Sequence, residues 1–269
     1  MSEMSESAAY HPPLQLSARL LWRVPLFLLH VFIGLPLTLA CFLPVLRGIP
    51  VGRGTLRQWA HRAWQRQTLR LFGIRLKVSG QLPDAGCLVV ANHISWLDIV
   101  VLHAVRPMWL VAKAEIRRWP LVGWLAHTGG TLFIQRGRPA SRKAIARRMA
   151  ALLRRGETVG VFPEGGIRPE PGPGRFYHPL FQPAVRVAAP VVPVAIRYQT
   201  RENPRLADLH EIYVMRTGEN FLRNFFRLMA EPPSTVQVNI GQSIHAPQDD
   251  HRALARQAGA IVKELYKHA

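Results

Sequence analysis

From residue 74 onward, short β-rich runs alternate with helical stretches, and this alternation most narrows what the chain can fold into. The runs are IRLKV (74–78), CLVVA (87–91), WLVA (109–112), TLFI (131–134), TVGVF (158–162) and VVPVAI (191–196). Except in IRLKV, their aliphatic and β-branched residues are nearly continuous rather than alternating with polar ones, as expected for strands covered on both faces. Between them lie stretches such as ASRKAIARRMAALLRRG (140–156), whose closing Gly suits a helix C-terminus. EIYVM (211–215) continues the β-rich pattern, followed by an aromatic-rich helix near 217–230, STVQVNI (234–240) and a closing helix over 249–267. The pattern predicts an α/β domain over 73–269, with a largely buried mixed sheet flanked by helices.

The N-terminal part obeys a different rule. Residues 24–46 (VPLFLLHVFIGLPLTLACFLPVL) carry no formal charge. That length suffices for a bilayer crossing, which takes about 20 apolar residues. Pro25, Pro36 and Pro44 interrupt a plain helix, so a kinked span, a re-entrant hairpin and a buried core helix all remain open. Residues 1–18 read as a polar tail without order, and 19–72 as the anchoring segment plus a basic amphipathic helix over 55–72. That helix either lies on a bilayer or packs on the main domain with its basic face solvated.

The chain of 269 residues carries a formal charge of +19, which draws it to anionic lipid or nucleic acid. Cations crowd the C-terminal flank of the apolar run, at Arg47, Arg53, Arg57, Arg62, Arg66, Arg70, Arg75 and Lys77. Only Arg19 and Arg23 precede it. This asymmetry favours an anionic bilayer surface over nucleic acid, with the bulk of the protein on the cytoplasmic side. Cys41 and Cys87 form no CxxC pair, so a disulfide framework and a thiolate zinc site are not expected.

Three strand ends carry residue types suited to chemistry. Asn92-His93 follows the second run directly, and Asp98 comes five residues after His93. A carboxylate on one imidazole nitrogen fixes the tautomer and leaves the other nitrogen free as a general base. Arg136 and Gly137 close the fourth run, placing a planar fork of donors where phosphate or carboxylate could bind. Glu164 and Gly165 close the fifth, a carboxylate held between Pro163 and flexible glycines. Each alone has an ordinary explanation, as a surface Arg or a turn Glu. In a parallel sheet the three ends meet on one rim.

NHISWLD, FIQRG, FPEGG and VVPVAI resemble, in order and spacing, the four blocks of the phosphate acyltransferase superfamily that includes the 1-acylglycerol-3-phosphate acyltransferases. The resemblance covers roughly residues 74–245. It implies the glycerolipid acyltransferase fold, with His93 as general base for the acceptor hydroxyl and Asp98 as its orienting partner. Arg136 and Gly137 match the block that binds the acceptor's phosphate. Glu164 and Gly165 match the block that completes the acceptor site, and Pro193 lies in the fourth block. Acyl-CoA or an acyl carrier protein thioester would be the co-substrate, with no resident cofactor and no metal. The third block departs from the family's Pro-Glu-Gly-Thr-Arg: here Gly166-Ile167-Arg168 follows, so Arg168 stands one position late as the substitute acceptor contact. PVVPVAIRY (190–198) is similar to the lyso-ornithine lipid acyltransferase branch.

The expected function is therefore acyl transfer to the hydroxyl of a lysolipid, at the cytoplasmic face of a bacterial-type inner membrane. A hydrolase using His93 and Asp98 to activate water is a second class, and a non-enzymatic membrane-binding protein a third. No GxSxG elbow is present, and no nucleic-acid recognition signature.

Overall fold

A seven-stranded sheet, in the order β3-β9-β8-β4-β7-β5-β6, organises the chain. The computed structural model describes residues 18–52, 54–118, 122–135, 137–168, 170–200, 209–245 and 250–269. It begins with α1 (Ala18–Leu29), a π-helical turn (His30–Gly34) and α2 (Leu35–Ala40), followed by a small hairpin of β1 (Pro50–Val51) and β2 (Gly54–Thr55) and by α3 (Leu56–Leu71). The sheet elements then come as β3 (Ile74–Ser79), β4 (Leu88–Ala91), α4 (Leu97–Val105), β5 (Trp109–Lys113), α5 (Val122–Thr128) and β6 (Thr131–Ile134). They continue through α6 (Pro139–Arg154), β7 (Val159–Val161), α7 (Gln182–Arg186), β8 (Val191–Thr200), α8 (His210–Tyr213), α9 (Phe221–Ala230), β9 (Ser234–Ile240) and α10 (His251–Lys267).

The sheet is mixed, as the sequence predicts. β8, β4, β7, β5 and β6 run parallel, whereas β9 is antiparallel to β8 and β3 follows β9. The central strands β4 and β7 are buried at every residue, and the edge strand β3 is largely open. Right-handed crossovers assign the helices to faces. The step β4-α4-β5 moves one way across the sheet and β6-α6-β7 moves back, so α4 and α6 cover opposite faces. With α4 go α3, α1 and α9; with α6 go α7 and α10.

Local signals set the element ends. Thr55 caps α3 in a reciprocal capping box with Gln58. Pro139 opens α6, and Gly156, at φ +75°, follows its end.

The structure differs from the sequence reading at two places. The N-terminal helical stretch runs from Ala18 to Ala40, 23 residues, and the CFLPVL end of the uncharged run forms turns instead. Pro36 cannot donate to the carbonyl of Phe32, and the ladder widens into the π turn at this point. Arg23 lies inside this stretch yet is buried, donating from Nη1 to the carbonyls of Met229 at 2.7 Å and Glu231 at 2.9 Å. It thereby satisfies carbonyls that α9 leaves open at its C-terminus. Gly73 permits the approach, since a Cβ there would lie 2.2 Å from the Arg23 guanidinium. The opposite flank is apolar and exposed at Leu21, Leu28, Phe32 and Leu37.

The second difference is EIYVM, whose first residues form the helical turn α8. His210 and Tyr213 are its buried residues, three apart, a helical rather than a strand period. β9 already has β8 on one side and β3 on the other, so no sheet edge is open to it there.

Candidate active site

β4 ends at Ala91, and the Asn92 side chain continues its pairing in place of backbone. Asn92 Nδ2 donates to the Ile196 carbonyl at 2.9 Å, and Ile196 N–H donates to Asn92 Oδ1 at 2.8 Å. The main chain is thus released from the sheet while remaining pinned to β8, and His93 leaves the rim at a fixed place. Its ring stacks on Phe162 at 4.1 Å between centroids, with the planes 14° apart.

Asp98 sits in the first turn of α4, is fully buried, and faces back towards the β4 exit. Its Oδ2 accepts from Ile94 N–H at 2.6 Å, Ser95 N–H at 2.8 Å and His93 Nδ1 at 2.9 Å. Its Oδ1 accepts the Tyr198 hydroxyl at 2.8 Å. A buried carboxylate is tolerable because donors surround it. With Nδ1 committed to Asp98, Nε2 is the imidazole nitrogen able to take a proton.

Glu164 comes from β7, the immediate neighbour of β4, so the two strand ends do meet. Its Oε2 accepts from His93 N–H at 2.8 Å and its Oε1 from Gly174 N–H at 2.5 Å. The carboxylate therefore joins the β4 exit to the loop segment that holds Gly172 and Gly174. Burial pushes its pKa up, and the N–H groups of Gly174 and His93 pull it partly back. Gly165 follows at φ +81° and Gly137 lies at φ +80°, backbone that favours glycine at both.

The remaining expected residues stand further out. β6 is the far edge of the sheet, three strand spacings from β4, or about 14 Å. Gly137 follows it, and Arg136 lies outside the described residues. Arg168 directs Nε and Nη2 to Glu170 Oε2, at 3.2 and 3.1 Å, and its guanidinium lies over Gly174. Pro193 pairs with Val90 inside β8, beside the rim-forming strand.

Two supports escaped the sequence reading. Tyr198 stacks on Tyr213 at 4.0 Å while holding Asp98, and burial followed by the Asp98 charge pushes its phenol well up, so it remains a donor. Asn224 of α9 accepts from Trp96 Nε1 at 2.9 Å, tying the His93–Asp98 loop to α9. A hydroxyl-bearing ring at a buried position just beyond the apolar run VVPVAI was the available signal for Tyr198.

A base held by a buried acid at the carboxyl end of a parallel sheet suits proton removal from a hydroxyl. The chain belongs to the Acyltransferase family, whose model matches residues 74–197, and it is an O-acyltransferase. It is 35% identical over 232 residues to a lyso-ornithine lipid O-acyltransferase of Pseudomonas aeruginosa, covering 86% of this chain and 88% of that protein. A protein of the same name from Brucella abortus is 31% identical over 217 residues, 77% of this chain and 81% of its own length. A 1-acyl-sn-glycerol-3-phosphate acyltransferase of Neisseria gonorrhoeae is 38% identical over 164 residues, 60% and 64% of the two chains. The crystal structure of a 1-acyl-sn-glycerophosphate acyltransferase from Thermotoga maritima shares the fold, with a TM-score of 0.58 at 21% identity over 79% of each chain.

Proposed function

We propose that this chain moves a fatty acyl group from an acyl thioester, on CoA or an acyl carrier protein, to the free hydroxyl of a lysolipid of lyso-ornithine or 1-acylglycerol-3-phosphate type. The observation that carries the reading is the bond from His93 Nδ1 to the buried Asp98, which leaves Nε2 as the general base. In this scheme Nε2 removes the acceptor proton as the oxygen attacks the thioester carbonyl, and Asp98 stabilises the imidazolium. The tetrahedral oxyanion then expels the thiolate, which recovers the proton from His93. Glu164 fixes the backbone of His93 through its N–H. The scheme draws on the co-substrate thioester, with neither resident cofactor nor metal.

The acceptor is a lipid in this reading because the chain resembles lysolipid acyltransferases over most of its length. The exposed flank of Ala18–Ala40 would seat the protein at the cytoplasmic face of a bacterial inner membrane, aided by the cations of α3. Gly166-Ile167 in place of the usual Thr-Arg favours an acceptor of the lyso-ornithine kind. The test is the purified chain in vesicles, given an acyl thioester and either lysolipid. Formation of the diacyl product supports the reading. Equal release of free fatty acid with and without lysolipid would identify a hydrolase instead.

A further inference from the structure

The stretch from Arg136 to Arg155 contains eight cations and no carboxylate. From Pro139 to Arg154 it forms α6, whose Ile145, Met149, Ala150 and Leu153 are buried. Arg142, Lys143, Arg147, Arg148, Arg154 and Arg155 are exposed, and none of these forms an ion pair among the described residues. Like charges so close repel, and a helix face of this kind gains stability when an anionic surface covers it.

Two features of position narrow what that surface is. The first is nearness to the site. Arg142 Nη1 donates to the Tyr177 hydroxyl at 3.4 Å, and Tyr177 N–H donates to the carbonyl of Pro163, the residue before Glu164, at 2.6 Å. The N-terminal half of α6 therefore borders the loop that holds His93. The second is the face of the sheet. The apolar flank of Ala18–Ala40 and the exposed Arg57, Arg62, Arg66 and Arg70 of α3 belong to the α4 side, and α6 covers the other. A bilayer engaging the apolar flank leaves α6 directed at water. The cationic row from Arg142 to Arg155 also extends about 20 Å along the helix axis, longer than the phosphates of one nucleotide reach.

We propose that the exposed face of α6 docks an acidic acyl carrier protein, which brings its thioester over the rim to His93. This inference rests on the function proposed above and names the donor's carrier. Charge complementarity selects the carrier protein, and its contribution falls with salt on the scale of a Debye length, about 10 Å at 0.1 M.

The test uses the full chain in phosphatidylcholine vesicles and an unacylated bacterial acyl carrier protein, so that binding is read without turnover. Lys143→Gln, Arg147→Gln and Arg148→Gln together remove three charges while keeping good helix formers, and a thermal melt checks folding. The expected result is a loss of carrier affinity of about tenfold or more in the triple variant, with wild-type affinity falling as salt rises. Transfer from a short acyl-pantetheine thioester to the lysolipid stays unchanged. Wild-type affinity in the triple variant overturns the proposal, as does an absence of carrier binding by wild type. So does loss of binding to phosphatidylglycerol vesicles with carrier binding retained, or a KM for acyl-CoA that rises in step. Carrier binding that behaves as expected in a protein that transfers no acyl group would instead refute the acyltransfer reading.

Discussion

Replacing Tyr198 by Phe removes one hydroxyl and leaves the ring stacked on Tyr213. The lost bond is the 2.8 Å contact to Asp98 Oδ1, inside a cluster where both residues are fully buried. A hydrogen bond to a charged group contributes about 1.5–3 kcal/mol, and an oxygen left bare in the interior keeps its desolvation cost. Taking ~2 kcal/mol for the folded state, a chain of this size should melt roughly 3–4 °C lower. Asp98 would then be held by its Oδ2 partners alone, and the imidazole would lose part of its orientation. On the proposed mechanism kcat falls by about tenfold, at most about a hundredfold, with the KM of both substrates unchanged because the hydroxyl touches neither. Thermal unfolding and steady-state acyl transfer measure the two effects. An unchanged melt together with an unchanged kcat would refute the argument. A change confined to KM would do so as well, since it would put the hydroxyl in contact with substrate.

Other residues give separate tests. Glu164→Gln should leave thermal stability at pH 7 equal or slightly higher, because burial disfavours the charged carboxylate, while kcat drops about tenfold as His93 loses its backbone restraint. His61 and His103, with rings 4.7 Å apart, are both pushed down by burial first, His61 to about 4 with Arg57 adding to the effect. Both are neutral in the fold and take up protons on unfolding, so stability present above pH 6.5 should be lost as pH falls towards 4. Chemical denaturation across that window should show a shallower loss in His61→Gln. Arg23→Met should cost about 1–3 kcal/mol by stripping the α9 carbonyls of their donor, and should increase hydrogen exchange in α1 and the end of α9.

Much of the α/β unit was legible because its central strands are buried on both faces, and an apolar run such as CLVVA has few alternatives. The meeting of His93 with Glu164 was equally foreseeable, since both follow parallel strands. Other features depended on tertiary partners that spacing does not encode. Arg23 looked like a flanking charge, and only the carbonyls of α9, over 200 residues away, explain its burial. EIYVM has β propensity, but the sheet left it no edge, and Tyr213 found a partner in Tyr198 instead. Tyr198 was read as part of a block and not as a donor, because the Asp98 it serves lies 100 residues earlier.

The central claim is that His93, oriented by Asp98, is the base of an acyl transfer. The direct measurement is the initial rate of diacyl lipid formation by purified His93→Ala in vesicles, with folding verified by its melt. The account predicts a rate lower by about 10²–10⁴-fold, the range of general-base catalysis, with carrier-protein binding retained. A rate within about threefold of wild type would contradict it, since losses on that scale lie far below what a general base contributes.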